Sequence, residues 1–325
     1  IRLDVKPDGD GWRIDRADAL LPGRTALEAK GRLTLRDNRG FTGDLLIASN
    51  QPSGLATWLA GSVDPEIRKL KTAGFSAQVN LTDELQRFEN LEVAIGPAAL
   101  TGRLERESRG DAAPTLSLEL RGNEVELESL QALVGLIAGD ASLSTVLEHS
   151  IALDLKADRL IAFGESAHGV NAVLSARDGL LTLSRLTVAS LEGAALSASG
   201  TLGGSLLEPS AGLDLTLKAA AMRRVADLLA RLLPAHPLLA AFVANAGYYD
   251  NADLALHASM PGAEGGPARV TLKGPVNDGR IELALTTAAP VDFLQGGAFE
   301  LEGSLFNPQS VVLAGQVGLD PLPFD

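Results

Sequence analysis

The feature that most constrains this chain is a strict alternation of apolar and polar residues, seen clearly between residues 27 and 36. One set of alternate positions carries only aliphatic residues or glycine: Leu27, Ala29, Gly31, Leu33 and Leu35. The positions between them carry polar or charged residues: Glu28, Lys30, Arg32, Thr34 and Arg36. Because successive side chains of a strand point to opposite faces of its sheet, this pattern predicts a β-strand with one apolar face and one solvated face.

The same alternation recurs along most of the chain and predicts about fifteen strands. The clearest further examples have apolar residues alternating within 41–47, 75–81, 116–120, 213–217 and 281–285. Turn-forming residues separate the predicted strands, as at Asp8-Gly9, Asp178-Gly179 and Asn277-Asp278-Gly279. Because short turns of this kind join antiparallel neighbours, the sequence predicts a mainly β fold built from antiparallel hairpins.

Three segments follow helical periodicity instead, near residues 52–71, 128–148 and 220–245. The third has an apolar stripe made of Val225, Leu228, Leu229, Leu232 and Leu233. A stripe at this spacing buries one face of a helix against a core. We therefore expect two modules, residues 1–148 with the first two helical segments and residues 149–325 with the third.

A short motif with a central glycine recurs at irregular separations along the chain. It occurs as Lys30-Gly31-Arg32-Leu33, Thr101-Gly102-Arg103-Leu104, Ser199-Gly200-Thr201-Leu202 and Glu302-Gly303-Ser304-Leu305. Each glycine falls on the apolar side of a predicted strand. Glycine at such a place marks a bend or a bulge in a curled sheet. The alternative is that the missing side chains leave room for a ligand.

The apolar face of the predicted sheet must be buried against something. The helical segments are too few to cover about fifteen strands, which leaves a filled sandwich or barrel, or a twisted sheet curled into an open groove. Only 4% of the residues are aromatic, whereas aromatic rings usually dominate a filled core. We therefore expect a long, antiparallel, strongly twisted sheet curled into a gutter-like groove, with three short helical insertions.

The net charge and the amino-acid composition argue against several classes of binding partner and of site. The formal net charge is -13, which argues against nucleic acid because phosphate binding requires a clustered cationic face. The chain has no cysteine, so disulfides and cysteine-ligated metals are excluded. It has no run of about twenty apolar residues that could span a membrane. Since it starts at Ile1 without an initiator Met, we expect it to be a piece of a longer protein, in which a membrane anchor could lie outside these residues.

The sequence contains no motif for catalysis. It has no phosphate-binding Gly-Lys-Ser/Thr loop and no His-Glu-x-x-His zinc motif, and it has no Gly-x-Ser-x-Gly nucleophile elbow. Glu165 and His168 have the spacing of a metal-ligand pair, but that spacing requires a helix and this segment lies between predicted strands. We expect no catalytic residue, no metal and no cofactor, and we interpret the protein as a non-enzyme.

Two blocks of the sequence resemble the AsmA-like family of bacterial envelope proteins. The first consists of Ala19-Leu20-Leu21-Pro22-Gly23, residues 29–33, residues 41–45 and a helix with Leu55, Trp58 and Leu59. The second consists of residues 169–174, 178–183, 191–196 and 198–202. The resemblance implies a periplasmic protein, anchored in the inner membrane, in which a long β-groove passes phospholipid toward the outer membrane. It supplies no catalytic residues.

The sequence and the resemblance together predict a segment that binds and conducts phospholipid or a related acyl lipid. We expect the groove to be lined by Leu33, Leu35, Leu45, Ile47, Val79, Leu118, Val170, Leu174, Leu181, Leu183, Leu196, Leu215, Leu256, Leu272 and Leu283. An alternative is a scaffold for outer-membrane biogenesis that pairs strands with envelope proteins. A third alternative is a glycan-directed enzyme or lectin. Such a site would need a cluster of surface aromatic residues, and the chain has only two Trp and two Tyr.

Overall fold

The computed structural model describes residues 1–36, 39–60, 68, 70–96, 98–108, 114–128, 150–204, 209–262, 266–288 and 298–319. It confirms a mainly β fold. The strands are β1 (Arg2–Asp8), β2 (Gly11–Leu21), β3 (Thr25–Thr34), β4 (Gly40–Ser49), β5 (Ala73–Thr82), β6 (Leu85–Ile95), β7 (Ala98–Glu107), β8 (Thr115–Glu126), β9 (Ser150–Ala162), β10 (Glu165–Arg177), β11 (Leu180–Leu191), β12 (Ala194–Gly204), β13 (Pro209–Ala219), β14 (Ala252–Pro261), β15 (Ala268–Val276), β16 (Gly279–Thr287) and β17 (Glu300–Phe306).

The described residues also form four α-helices and one 3-10 helix. The α-helices are α1 (Pro52–Ala60), α2 (Met222–Leu232), α3 (Pro237–Asn245) and α4 (Ser310–Gln316), and the 3-10 helix is Ala246–Tyr249. The chain divides into a first unit, residues 1–166 and 170–179, and a second unit, residues 167–169 and 180–325. The boundary that we expect at residue 148 from the sequence stays a prediction.

In the first unit, each strand from β1 to β8 pairs antiparallel with the next. The expectation of an entirely antiparallel sheet is wrong, because β8 pairs with β9 in parallel. A parallel pair requires a crossover connection of about a dozen residues or more, and the connection from Glu126 to Ser150 is long enough to provide it. The strand β10 then lies beside β9.

In the second unit, β11 to β17 form an antiparallel meander in which each strand pairs with the next. The hairpin between β15 and β16 shows how the sequence sets the register. Val276 pairs with Gly279, and the two turn residues, Asn277 and Asp278, have φ of 44° and 60°. Positive φ at both central residues is the geometry that matches the strand twist and favours asparagine and aspartate.

The helical predictions have mixed outcomes. The first segment contains α1, and the third contains α2 and α3, which are separate helices because Pro234 and Pro237 interrupt them. The apolar stripe of α2 is buried or half-buried as far as Leu229, whereas Leu232 and Leu233 are exposed. The segment near 128–148 lies outside the described residues after Glu128. The sequence did not predict α4.

The recurring glycine motif coincides with β-bulges in three strand pairs. In each pair, two residues of one strand oppose a single residue of the other: Asp15-Arg16 in β2, Glu89-Asn90 in β6 and Ser184-Arg185 in β11. The residue next to each bulge pairs with a motif glycine: Ile14 with Gly31, Leu91 with Gly102 and Leu183 with Gly200. A bulge bends its strand and increases the local twist, so the motif marks the places where the sheet bends.

The same glycines allow a close approach of the strand on their other side. A Cβ atom added at Gly31, Gly102 or Gly200 would overlap the backbone carbonyl oxygen of Thr42, Glu119 or Gly212, respectively. At Gly303, where there is no bulge, it would overlap the carbonyl oxygen of Glu282. These contacts favour a backbone role for the glycines over the alternative of leaving room for a ligand.

Candidate functional site

The apolar face of the second unit consists of parallel rows of aliphatic side chains that run across the strands. We define the middle row by its paired residues Leu186, Ala198, Leu215, Leu256, Leu272, Leu283 and Gly303. We define the outer row as Leu183, Gly200, Leu213, Ala258, Val270, Leu285 and Leu301. At about 4.8 Å between strands, each row extends roughly 29 Å without a polar side chain.

A third row lies on the other side of the middle row and is covered by helices along its β13, β14, β16 and β17 residues. We define this inner row as Val188, Leu196, Leu217, Leu254, Ile281 and Leu305. Met222 and Val225 of α2 pack on it in one buried cluster, and Leu229 and Phe242 lie against that cluster. The helical layer thus closes one end of the apolar face.

Exposure varies within each row and does not increase steadily with distance from the helices: Ala198 of the middle row is 9% exposed, and Ala268 and Thr287, beyond the outer row, are 9% and 5% exposed. Leu254 and Ile281 of the inner row are 7% and 5% exposed. The side chains of the middle row that lie on β13 to β16 are half-buried. In the outer row Leu301 is 46% exposed, and beyond that row Leu202 is 41% exposed. Within this unit, the half-buried residues of the middle and outer rows therefore leave part of the aliphatic face accessible.

The structure places the fifteen predicted lining residues in three kinds of environment. Val79, Leu118 and Val170 are buried in the first unit, and Leu35 lies just past the end of β3 with half of its side chain exposed. The remaining eleven are half-buried: Leu33, Leu45, Ile47, Leu174, Leu181, Leu183, Leu196, Leu215, Leu256, Leu272 and Leu283. The middle row brings together Leu215, Leu256, Leu272 and Leu283, each paired with the next.

The first unit distributes its apolar residues differently. Its strands β5 to β9 carry a buried aliphatic core that includes Val79, Leu91, Val93, Leu100, Leu104, Leu118, Leu120 and Leu155. On β3 and β4, by contrast, Leu33, Leu45 and Ile47 are only half-buried. Of the predicted lining residues in this unit, those on β3 and β4 resemble the accessible rows, whereas Val79 and Leu118 belong to a filled core.

The opposite, hydrophilic face of the first unit is crossed by ion pairs between neighbouring strands. Arg87 lies 2.7 Å from Glu105, and Arg103 pairs with Glu119. Lys6 lies 2.5 Å from Asp15, and its hydrogen bond lowers the pKa of the Asp15 carboxyl group. Exposed pairs of this kind contribute little stability, but opposite charges across two strands favour one register.

The hydrophilic face of the second unit carries more hydroxyl groups. Ser197 and Thr216 lie 2.7 Å apart through their hydroxyl oxygens, and His257 Nδ1 lies 2.8 Å from Asp214 Oδ1. An open cavity of about 830 Å³ lies on this face, across β11 to β15. The side chain of His257 is exposed, and the sequence did not predict the cavity.

Two further observations concern membranes and metals. None of the helices in the described ranges is both long and apolar enough to cross a membrane. Among the same residues, no three histidine, aspartate or glutamate side chains form a group that could hold a metal ion. The Glu165 and His168 pair lies on a strand, β10.

Comparisons with protein-family models, with curated proteins and with solved structures found no match to this chain.

Proposed function

We propose that this chain is a non-enzymatic, lipid-binding segment whose apolar rows hold the acyl chains of a phospholipid or a related lipid. The observation that carries the proposal is the partial exposure of the middle and outer aliphatic rows in the second unit. An apolar surface of this extent is rarely left accessible unless it binds something apolar. The middle and outer rows supply only methyl and methylene groups, which suit an acyl chain better than a polar ligand.

The energetics of such a surface fit a lipid carrier. Burying a methylene group contributes about 0.8 kcal/mol, so an acyl chain of roughly sixteen carbons gains on the order of 10 kcal/mol before the costs of ordering. The gain is spread over many equivalent contacts along a row. Because no single contact dominates, a bound chain slides along the row at little cost, which is what conduction requires.

The wider setting belongs to the same proposal. The AsmA-like resemblance of the sequence supports a periplasmic location, an anchor in the inner membrane and passage of phospholipid toward the outer membrane. A groove formed by the curled sheet is also part of the proposal. The accessible aliphatic rows support it, whereas the buried core on β5 to β9 limits the proposed groove in the first unit to β3 and β4.

The test is lipid retention by purified protein, measured by native mass spectrometry and by lipid extraction. Leu215→Asp places a charge in the middle row, and Thr216→Asp places the same charge on the hydrophilic face of the same strand. We expect phospholipid with the wild-type protein and with Thr216→Asp, and at least about tenfold less with Leu215→Asp, since a buried charge costs several kcal/mol.

A second variant separates lipid loss from misfolding. Ala258→Trp keeps the outer row apolar but fills it with a large ring, so a folded protein should lose lipid by obstruction. Circular dichroism and urea unfolding check that each variant is folded. Wild-type protein that contains no extractable lipid, or folded Leu215→Asp and Ala258→Trp that both retain it, would exclude the proposal. Crosslinking of the wild-type protein to envelope proteins in place of lipid would favour the scaffold alternative.

A further inference from the structure

The cavity on the hydrophilic face of the second unit is formed by side chains of five consecutive strands. On β15 its wall includes Thr271 and Lys273 but not Leu272, which lies between them on the apolar face. On the other four strands the lining includes Leu186, Ala198, Leu215 and Leu256 of the middle row, each next in sequence to residues of the hydrophilic face that also line the cavity. The cavity therefore opens on the side of the sheet opposite to the aliphatic rows. Any ligand in it would be separated from a lipid on those rows by the thickness of the sheet.

Two features of the sequence produce this depression. Ala255 lies at its centre, paired with Thr216 on one side and with Lys273 on the other, and its methyl group leaves a low floor between longer side chains. The bulge at Ser184-Arg185 opposes Ser199 at the edge of the depression. Because a bulge bends its strand and increases the twist, β11 curves and carries Arg185 into the wall.

The wall is rich in hydroxyl groups, arranged in two neighbouring rows. One row pairs Thr187 with Ser197 and Ser197 with Thr216. The other pairs Ser199 with Asp214, Asp214 with His257 and His257 with Thr271. Since a hydroxyl group both donates and accepts hydrogen bonds, such a wall suits a ligand that itself carries several hydroxyl groups.

The charges of the wall favour an anion. Among the described residues of the wall, the one carboxylate, Asp214, is already engaged by His257 at 2.8 Å. Arg185 and Lys273 form no ion pair and no side-chain hydrogen bond within the described part of the chain. Glu282 is opposite Lys273 in the register of β16 but does not form an ion pair with it. Two unpaired cations therefore face the depression, in a protein whose net charge is -13.

We propose that this depression binds a phosphate ester attached to a hydroxylated group, as in a sugar phosphate. The guanidinium group of Arg185 and the ammonium group of Lys273 would bind the phosphate oxygens, since arginine favours the geometry of phosphate and lysine acts as a mobile point charge. The hydroxyl groups of Thr187, Ser199 and Thr271 would hydrogen-bond the hydroxyl groups of the ligand.

The experiment is isothermal titration of the full chain with glucose 1-phosphate, glucose and inorganic phosphate. We expect saturable binding of glucose 1-phosphate and at least tenfold weaker binding of the other two probes. Arg185→Ala, Lys273→Ala and Ala255→Leu should each weaken binding of glucose 1-phosphate about tenfold or more. Arg269→Ala is the matched control, because Arg269 is an exposed cation of β15 that does not line the cavity.

Several outcomes would overturn the proposal. They are the absence of saturable binding, equal affinity for inorganic phosphate, and equal weakening by Arg269→Ala, which would indicate nonspecific attraction. Unchanged binding by a folded Ala255→Leu protein would also exclude the depression as the site. A competition experiment with phosphatidylinositol vesicles identifies the source of the ligand. Displacement of bound glucose 1-phosphate by the vesicles supports a lipid headgroup. Displacement by soluble sugar phosphate alone supports a free metabolite.

Discussion

The phenolic hydroxyl of Tyr249 donates a 2.6 Å hydrogen bond to the backbone carbonyl oxygen of Gln316. The side-chain amide of Gln316 in turn donates a 2.9 Å hydrogen bond to the carbonyl oxygen of Tyr248. Gly315 fits against the ring of Tyr248, where a Cβ atom would overlap the ring. These contacts fasten α4 to the 3-10 helix, and so to the helical layer that closes the apolar face.

The Tyr249 contact gives a prediction about alkaline pH. Burial raises the pKa of the Tyr249 phenol, so the unfolded chain loses this proton at a lower pH than the folded chain. The resulting stabilisation is complete below the ordinary tyrosine pKa of about 10 and declines as the pH rises through the raised pKa of the folded state. We expect Tyr249→Phe to lower the free energy of unfolding by about 1 kcal/mol at pH 8.

The measurement is urea unfolding of wild type and variant between pH 8 and the alkaline limit of folding. Above a pH of about 10 the wild-type protein should lose stability more steeply than Tyr249→Phe. Tyr248→Phe is the control, because it removes a phenol that makes no hydrogen bond within the described residues. Parallel pH profiles for wild type and Tyr249→Phe would contradict the prediction.

A second prediction concerns the start of α2. The N-cap residue, Ala221, has no side-chain acceptor, and Asp250 replaces it from a distant part of the chain by accepting a 2.7 Å hydrogen bond from the Met222 N–H group. Since loss of a helix cap costs about 0.5–2 kcal/mol, Asp250→Ala should destabilise the protein by about that amount in urea unfolding. Asp250→Asn, which keeps the acceptor oxygen, should cost less. An equal effect of Asp227→Ala, on the exposed side of α2, would argue against the cap.

A third prediction tests the glycines that lie beside bulges. Gly200→Ala should destabilise the protein by about 2 kcal/mol or more, because its Cβ atom would overlap the carbonyl oxygen of Gly212. Gly212→Ala is the matched control on the neighbouring strand, where the nearest atom to the added Cβ is Thr201 Oγ1 at 3.6 Å. Thermal unfolding of the two variants should differ clearly, and equal melting temperatures would remove the backbone explanation of the motif.

A fourth prediction concerns a buried hydroxyl in the first unit. Thr25 has no exposed surface, and its Oγ1 lies 2.9 Å from both the Pro22 carbonyl oxygen and the Ser49 hydroxyl. Thr25→Val keeps the shape but leaves buried polar partners unsatisfied, which costs about 1–3 kcal/mol. Thr42→Val, at an exposed position of the next strand, should change the urea midpoint little. A fully stable Thr25→Val protein would show that water replaces the lost contact.

Much of the sheet could be predicted from the sequence because the alternation at Leu27 to Leu33 directly reflects the geometry of a strand. The alternation does not specify which strands pair, so the parallel pairing of Leu118 with Leu153 could not be predicted from it. The short helix α4 was missed because residues 310–316 have no polar side that would reveal helical periodicity.

The candidate sites were predictable to different degrees. The middle row was found because Leu215, Leu256 and Leu272 each lie at the centre of a clear alternating pattern. The cavity was missed because its residues follow the same alternating pattern as any other solvated strand face. Only the twist and bending of the folded sheet bring them together around a depression. The sequence does contain one signal for it. Leu183 and Leu186 are three residues apart and not two or four, so the apolar alternation shifts by one residue between them. Such a shift indicates a bulge, and this bulge brings Arg185 to the cavity.

The pairing of consecutive strands in both meanders has an evolutionary consequence. From β2 to β8, and again from β11 to β17, each interior strand bonds only to strands adjacent to it in sequence. A hairpin inserted or deleted at one turn would leave every other pairing in its meander intact. Each such event changes the width of the meander by two strands, about 10 Å. Insertion or deletion of a hairpin would therefore lengthen or shorten the aliphatic rows without changing the rest of the pairing.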